Sequence, residues 1–166
     1  DNHGIANFDR PKSIDKKSLY KDLQQLIAGI SVTRDEYVFN NDLATAKTRV
    51  FQPAPVMIVE GLFVFHYKKI FSLFDLRIFM SAKENLKVIR RIKRDQAERN
   101  YPVSDVIYRY EHHVLPAYER FIEPYRESAD IIVNNNENFE ASLAVVNGFI
   151  RSKLADSATN AASMIA

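Results

Sequence analysis

Val56-Met57-Ile58-Val59-Glu60-Gly61 is the stretch on which the reading of the fold turns. Four apolar residues in succession, with no polar alternation, suit a parallel strand covered on both faces. Residues 76–80 and 131–133 form two further runs of the same kind. Between and after them lie segments with helical spacing, at 82–98, 103–125 and 139–154. Strands alternating with helices predict an α/β fold with a parallel sheet and helices on both faces.

The residues before this stretch read differently. Asp9, Pro11 and Ser13 are turn formers, so 7–13 is expected to be a loop. Ser13 is placed to cap a helix over 14–28, where Leu19, Leu23, Leu26 and Ile27 share a face and Gly29 gives a stop. Two short β-type runs, near 30–33 and 48–51, flank a polar stretch that holds Tyr37, Phe39 and Asp42. They predict a small hairpin-like flap.

Composition narrows the possibilities. Of 166 residues, none is cysteine, which excludes disulfides, thiolate metal sites and cysteine nucleophiles and fits a reducing cytoplasm. Lys+Arg 23 against Asp+Glu 21 is near balance, which argues against a non-specific nucleic-acid binder. No apolar run approaches the ~20 residues that span a bilayer. The tail 156–166, rich in Ala and Ser, is expected to be disordered, leaving one domain over 1–155.

Three groups of residues have the chemistry for a site. Ligands of open α/β sheets bind beyond the carboxyl ends of the strands. Glu60 stands at such an end, followed by Gly61, and a carboxylate there suits Mg²⁺. The plainer alternative is a strand-end acid in solvent. On the helix at 82–98, Lys87, Arg90, Arg91 and Arg94 fall within a sector about 100° wide. Guanidinium groups match phosphate oxygens with paired hydrogen bonds. Alternatively this is a solvated face paired with Glu84, Asp95 and Glu98. Phe8, Asp9, Tyr37 and Phe39 combine aromatic walls with polar groups, as a planar base or sugar requires, although aromatics also fill cores. His112 and His113 are adjacent, so on a helix they diverge by about 100° and are poorly placed to share a metal ion. Pro116, inside the same segment, should kink or restart the helix.

A chain that handles a nucleoside triphosphate commonly carries G-x-x-x-x-G-K-S/T, whose amides cradle the phosphates. The 4 glycines here, at positions 4, 29, 61 and 148, are none of them followed by lysine, so the motif is absent from these residues.

The pieces nevertheless fall into a familiar order. Asn7-Phe8-Asp9-Arg10-Pro11 resembles the Asn-Phe-Asp-His-Pro signature of uridine kinases, and Tyr37-Val38-Phe39 their Tyr-Asp-Phe flap. Pro53-Ala54-Pro55 through Glu60-Gly61-Leu62 resembles their Pro-Ala-Asp-hydrophobic-Glu-Gly strand. Arg90-Arg91-Ile92-Lys93-Arg94-Asp95 through Glu98-Arg99 resembles their Arg-rich lid. Ile122-Glu123-Pro124 and Ala129-Asp130-Ile131-Ile132 resemble their closing helix and last strand. The resemblance covers roughly 7–154 and identifies the chain as similar to the uridine kinase and phosphoribulokinase group of P-loop kinases.

The resemblance implies a P-loop kinase-like parallel sheet with flanking helices, a β flap and an Arg-rich lid. It also implies that the sheet is incomplete at the N-terminus, where the P-loop strand and helix would lie. The implied activity is transfer of the γ-phosphoryl group of ATP or GTP to a hydroxyl of uridine, cytidine or a related sugar-containing acceptor, with Mg²⁺. By position, Glu60 would approach the metal. Arg91, Arg94 and Arg99 would hold phosphates and stabilise charge, while Phe8, Asp9, Tyr37 and Phe39 would line the nucleoside pocket. Without the loop, this chain is expected to be inactive alone. A different reading is a non-catalytic remnant that binds a nucleotide or a protein. Such enzymes are often oligomeric, and the sequence leaves a homo-oligomer open.

Some positions depart from the pattern. Asp42 replaces the flap His, Tyr101 replaces an Arg that contacts the nucleoside in that family, and Arg109 replaces a Gln. These departures concentrate where base and sugar are read. Arg109 adds a cation there, which suits an anionic acceptor.

Overall fold

The computed structural model describes residues 7–37 and 45–163, with side chains as far as 156. Phe39 and Asp42 lie outside the described residues. The chain divides into two compact units, Asp15–Glu60 and the combination of Asp1–Ile14 with Gly61–Ala166.

In the smaller unit, helix α1 spans Lys16–Ile27. Asp15, not Ser13, is its cap: the carboxylate accepts the backbone N–H groups of Lys17 and Ser18, both at 3.1 Å. The Ser13 hydroxyl lies 2.9 Å from the Phe8 carbonyl and 2.7 Å from that of Arg10, so it closes the preceding loop. At the other end Gly29 adopts φ 79. Its N–H reaches Leu26 O at 3.1 Å and that of Ile30 reaches Gln25 O at 2.8 Å. This left-handed closure satisfies the last carbonyls and favours glycine. Strands β1 (Val32–Asp35) and β2 (Thr48–Phe51) pair antiparallel, with Val32 opposite Phe51 and Asp35 opposite Thr48. The expected hairpin is present.

The strand expected at 56–59 is not. These residues carry no strand, and Ile58 is 86% exposed. A strand exists only through a ladder partner, and among the described residues this run has none. Glu60 therefore follows an unpaired segment rather than ending a strand.

The larger unit is the α/β part. After a short helix α2 (Lys68–Phe71) come β3 (Ile78–Ser81), α3 (Glu84–Arg99), α4 (Val103–Arg109), α5 (Leu115–Phe121), β4 (Ile131–Asn134) and α6 (Glu140–Ser163). Strands β3 and β4 pair in parallel, with Ile78 opposite Ile131 and Ser81 opposite Asn134. Asp130 fixes this register: its Oδ2 accepts Arg77 N–H at 2.7 Å, and its own N–H donates to Arg77 O at 2.9 Å. Paired residues of parallel strands share a face. Phe79 and Val133 are buried, but their partners Ile132 and Met80 are 46% and 52% exposed, so both faces remain partly open. The expectation of strands covered on both faces is corrected accordingly.

The helical segment expected at 103–125, with Pro116 kinking or restarting it, is indeed broken. A π-helical turn spans Tyr110–Val114, where Leu115 N–H reaches back to Tyr110 O. Pro116 then sits in the first turn of α5, and a short 3₁₀ segment spans Glu123–Ser128. Proline has no N–H and its ring crowds the carbonyl four residues earlier, so the helix widens before it and restarts. At the C-terminus α6 runs past residue 154 to Ser163, because Ala-rich sequence without Gly or Pro supplies no stop. The core of this unit gathers Phe63, Tyr67, Ile70, Phe79, Val106 and Val133. Beside it His66 makes edge-on contacts with Tyr67, Phe121 and Tyr125. The Tyr67 hydroxyl donates to Pro11 O at 2.6 Å and so ties the 7–14 loop to this core.

Candidate active site

Helix α3 starts with Glu84 in its first turn, where a negative charge suits the helix dipole. Its amphipathic period then turns the cations to one side. Lys87, Arg90, Arg91 and Arg94 line a cavity of about 420 Å³, with Glu84, Tyr110, Val114 and Tyr118 as the remaining wall. The side chains that the sequence placed in one sector thus share one cavity. The π-helical turn contributes Tyr110 and Val114 to it.

Each cation is held in its own way. Lys87 Nζ lies 2.5 Å from Glu84 Oε1 and 3.9 Å above the centre of the Tyr118 ring. Burial works against its ammonium, but hydrogen bonds with Glu84 and Tyr118 outweigh that and raise its pKa above the ordinary lysine value. Tyr118 in turn donates to Glu123. Burial also pushes up the Tyr110 hydroxyl, with the Glu84 charge acting in the same direction. Arg90 donates to the carbonyls of Asn135 and Asn136, both at 2.7 Å, and so fastens α3 to the segment after β4.

The three arginines expected to hold phosphates meet at one acid. Asp95 is 1% exposed. Its Oδ1 takes Arg94 Nε at 3.0 Å and an Arg94 terminal nitrogen at 2.9 Å. Arg99 approaches the same oxygen at 3.4 Å, and Arg91 Nε lies 3.4 Å from Oδ2. Arg91 Nε is buried and makes no hydrogen bond among the described residues. Three guanidinium groups around one carboxylate leave a surplus of positive charge. Arg91 and Arg94 face the cavity, whereas Arg99 does not line it. The alternative of a paired face is thus half right: Glu84 pairs with Lys87 and Asp95 with these arginines, but the Asp95 carboxylate is buried rather than solvated.

The structure brings a second group together in the same unit. Asp9 and Arg109 both act electrostatically on His113, which is buried in the π-helical turn. Burial lowers the His113 pKa, Asp9 opposes this, and Arg109 and His112 reinforce it. The Asp9 N–H is fixed by Asn7 Oδ1 at 2.9 Å. Phe8, by contrast, is 62% exposed. The Arg109 guanidinium lies 5.3 Å from the Tyr101 ring centre, so two positions that depart from the uridine kinase pattern contact each other.

The other residues singled out from the sequence belong to the smaller unit. Tyr37 is 78% exposed and, with Arg34, Asp35, Glu36, Arg49 and Phe51, lines a groove of about 510 Å³ on the hairpin. Glu60 is exposed and forms no ion pair among the described residues. Magnesium takes one or two carboxylates and otherwise waters and substrate phosphates, so such a carboxylate fits its donor preference. Among the described residues no group of three or more His, Asp or Glu is placed to hold a metal ion, His112 and His113 included.

The sequence model of the Phosphoribulokinase / Uridine kinase family matches residues 2–141. The chain belongs to that family. A uridine kinase from Borrelia duttonii is 32% identical over 152 residues, covering 92% of this chain and 74% of the relative. Uridine kinases from Borreliella burgdorferi and Staphylococcus carnosus are each 34% identical over 147 residues, covering 89% of this chain and 71% of the relative. Asn100 ends α3 at φ 53, a left-handed conformation that asparagine tolerates better than other side chains.

What sequence reasoning missed is the burial of Asp95 and the wall role of Tyr118. A signal for Asp95 existed: it stands four residues after Arg91, one after Arg94 and four before Arg99, all within reach on a helix.

Proposed function

We propose that this chain is the acceptor-binding and lid portion of a nucleoside-kinase-like phosphotransferase. It would move the γ-phosphoryl group of ATP or GTP to a hydroxyl of uridine, cytidine or a related sugar-containing acceptor. The observation that carries the reading is a cavity lined by four cations of α3 in a chain of the Phosphoribulokinase / Uridine kinase family. In this reading residues 1–155 belong to one kinase domain, and the phosphate-cradling motif absent from these 166 residues would be supplied by a further segment. The half-exposed Met80 and Ile132, and the unpaired run at 56–59, support a sheet that lacks a neighbour.

In phosphoryl transfer the protein supplies position and charge more than covalent chemistry. Arg91, Arg94 and Arg99 neutralise charge on the transferring group. Phe8, Asp9, Tyr37 and Phe39 are the acceptor candidates that the family resemblance supplies, and Arg109 favours an anionic acceptor. Glu60 is the residue for Mg²⁺, which when bound neutralises phosphate oxygens.

The test is an acceptor panel. The longer protein that includes the loop is given ATP or GTP with uridine, cytidine, sugars and sugar phosphates, beside the 166-residue chain. Transfer by the longer protein only is expected, with sugar phosphates preferred. No transfer to any acceptor overturns the kinase reading. Turnover by the short chain overturns its inactivity, and a preference for uridine and cytidine overturns the role of Arg109.

A further inference from the structure

Asp95 does two things with one residue. Its carboxylate collects Arg91, Arg94 and Arg99. Its peptide carbonyl accepts the N–H groups of Asn100 and of Tyr101, the latter at 3.1 Å, and so closes the end of α3. The arginine cluster and the exit of the chain toward Tyr101 are therefore fixed at the same point.

Three guanidinium groups repel one another, and each long side chain loses rotamer freedom when held. Without a counter-charge they would spread into solvent. A buried carboxylate between them reverses this: it offsets part of the repulsion and orients Arg94 through two bonds to one oxygen. Charge-stabilising groups act most strongly when they are already in place as the transition state forms. We propose that Asp95 is a positioning residue, which holds Arg91, Arg94 and Arg99 as a preformed set before any phosphate arrives. It touches neither donor nor acceptor. This rests on the phosphotransferase reading above.

The decisive variant is Asp95→Asn, which keeps shape and removes charge, made in the longer protein that carries the loop. Kinetics are measured with ATP and the best acceptor of the panel, and arginine Nε–H signals by ¹⁵N NMR without ligand. The expected result is a kcat reduced about 100-fold, in line with loss of preorganised charge stabilisation. The acceptor KM should change little, and a slowly exchanging Arg94 Nε–H signal of the parent should be lost. A folded variant with unchanged kcat, or with the Arg94 signal intact, overturns the proposal. Should Asp95→Asn not fold, Asp95→Glu takes its place, retaining charge but displacing it by one methylene. A kcat at least about tenfold lower at constant acceptor KM supports the role, and an unchanged kcat overturns it. If the parent transfers no phosphate at all, the kinase reading fails, and the NMR arm alone decides whether Asp95 orders the arginines.

Discussion

Asp95 and Glu60 are two acids that the sequence presents in opposite light. Glu60 follows an apolar run and a glycine follows it, the pattern of a strand-end ligand; Asp95 sits among arginines and reads as one more surface partner. In the structure Glu60 is exposed beyond an unpaired segment, while Asp95 is buried under three guanidinium groups. The difference teaches where each kind of information resides. A helix brings its own partners, at fixed spacing along one chain. A strand end acquires its environment from other strands, which its own residues do not specify.

The sharpest way to break the comparison is to remove each acid. Taking one partner from a buried ionic cluster leaves uncompensated charge. Asp95→Ala is expected to cost roughly 3 kcal/mol of stability, the lower end of the usual range because the arginines are partly exposed. Urea unfolding of parent and variant measures it. A loss below about 0.5 kcal/mol, the size of an ordinary surface change, would make Asp95 equivalent to an exposed acid.

A contrast within α3 comes next. Arg94 faces the cavity and Asp95, whereas Arg90 is spent on the carbonyls of Asn135 and Asn136. Arg94→Ala is expected to lower kcat of the loop-bearing protein about 100-fold, as for other lost charge-stabilising donors. Arg90→Ala is expected to act chiefly on stability, by about 1–2 kcal/mol, since it breaks charge-assisted hydrogen bonds. Steady-state kinetics beside thermal melts separate the two, and equal kcat losses would show that the face acts as a uniform field instead.

The same division explains what was legible beforehand. The helical period of α3 and the stop at Gly29 are local, and both are where the sequence puts them. So is the hairpin, and the parallel pairing of β3 with β4 follows from two apolar runs. The family signature, spread over most of the chain, was also legible. The break at Tyr110–Val114 was half legible: Pro116 announces a disturbance, but whether the helix bends, ends or widens depends on packing around His113 and Val106. The run at 56–59 misled because continuous apolarity states a demand for cover, not that cover is present.

Glu60→Gln gives a smaller effect and tests the other side of the comparison. Exposed and unpaired among the described residues, it should change stability by less than about 0.5 kcal/mol. The Mg²⁺ concentration that half-saturates activity of the loop-bearing protein should rise about tenfold, as when a group that supports a metal is lost. An unchanged Mg²⁺ dependence removes Glu60 from the metal site and returns it to solvent.

Asp15 supplies the smallest effect and a third kind of acid, exposed yet engaged. Hydrogen bonds from the Ser18 hydroxyl and backbone N–H, then from Lys17, hold its carboxyl below the usual aspartate value. A pKa depressed by folding means that the cap contributes fully above the unfolded value and is lost as pH falls through the folded one. Helix α1 should therefore weaken on acidification below the ordinary aspartate range. Asparagine caps a helix about as well without titrating. In Asp15→Asn the helical signal of α1, followed by amide NMR, should lose this acid step while keeping its neutral-pH intensity. An acid step that survives the substitution would assign it to another carboxylate. Such a result would leave Asp15 closer to Glu60 than to Asp95, as an acid whose charge the fold does not use.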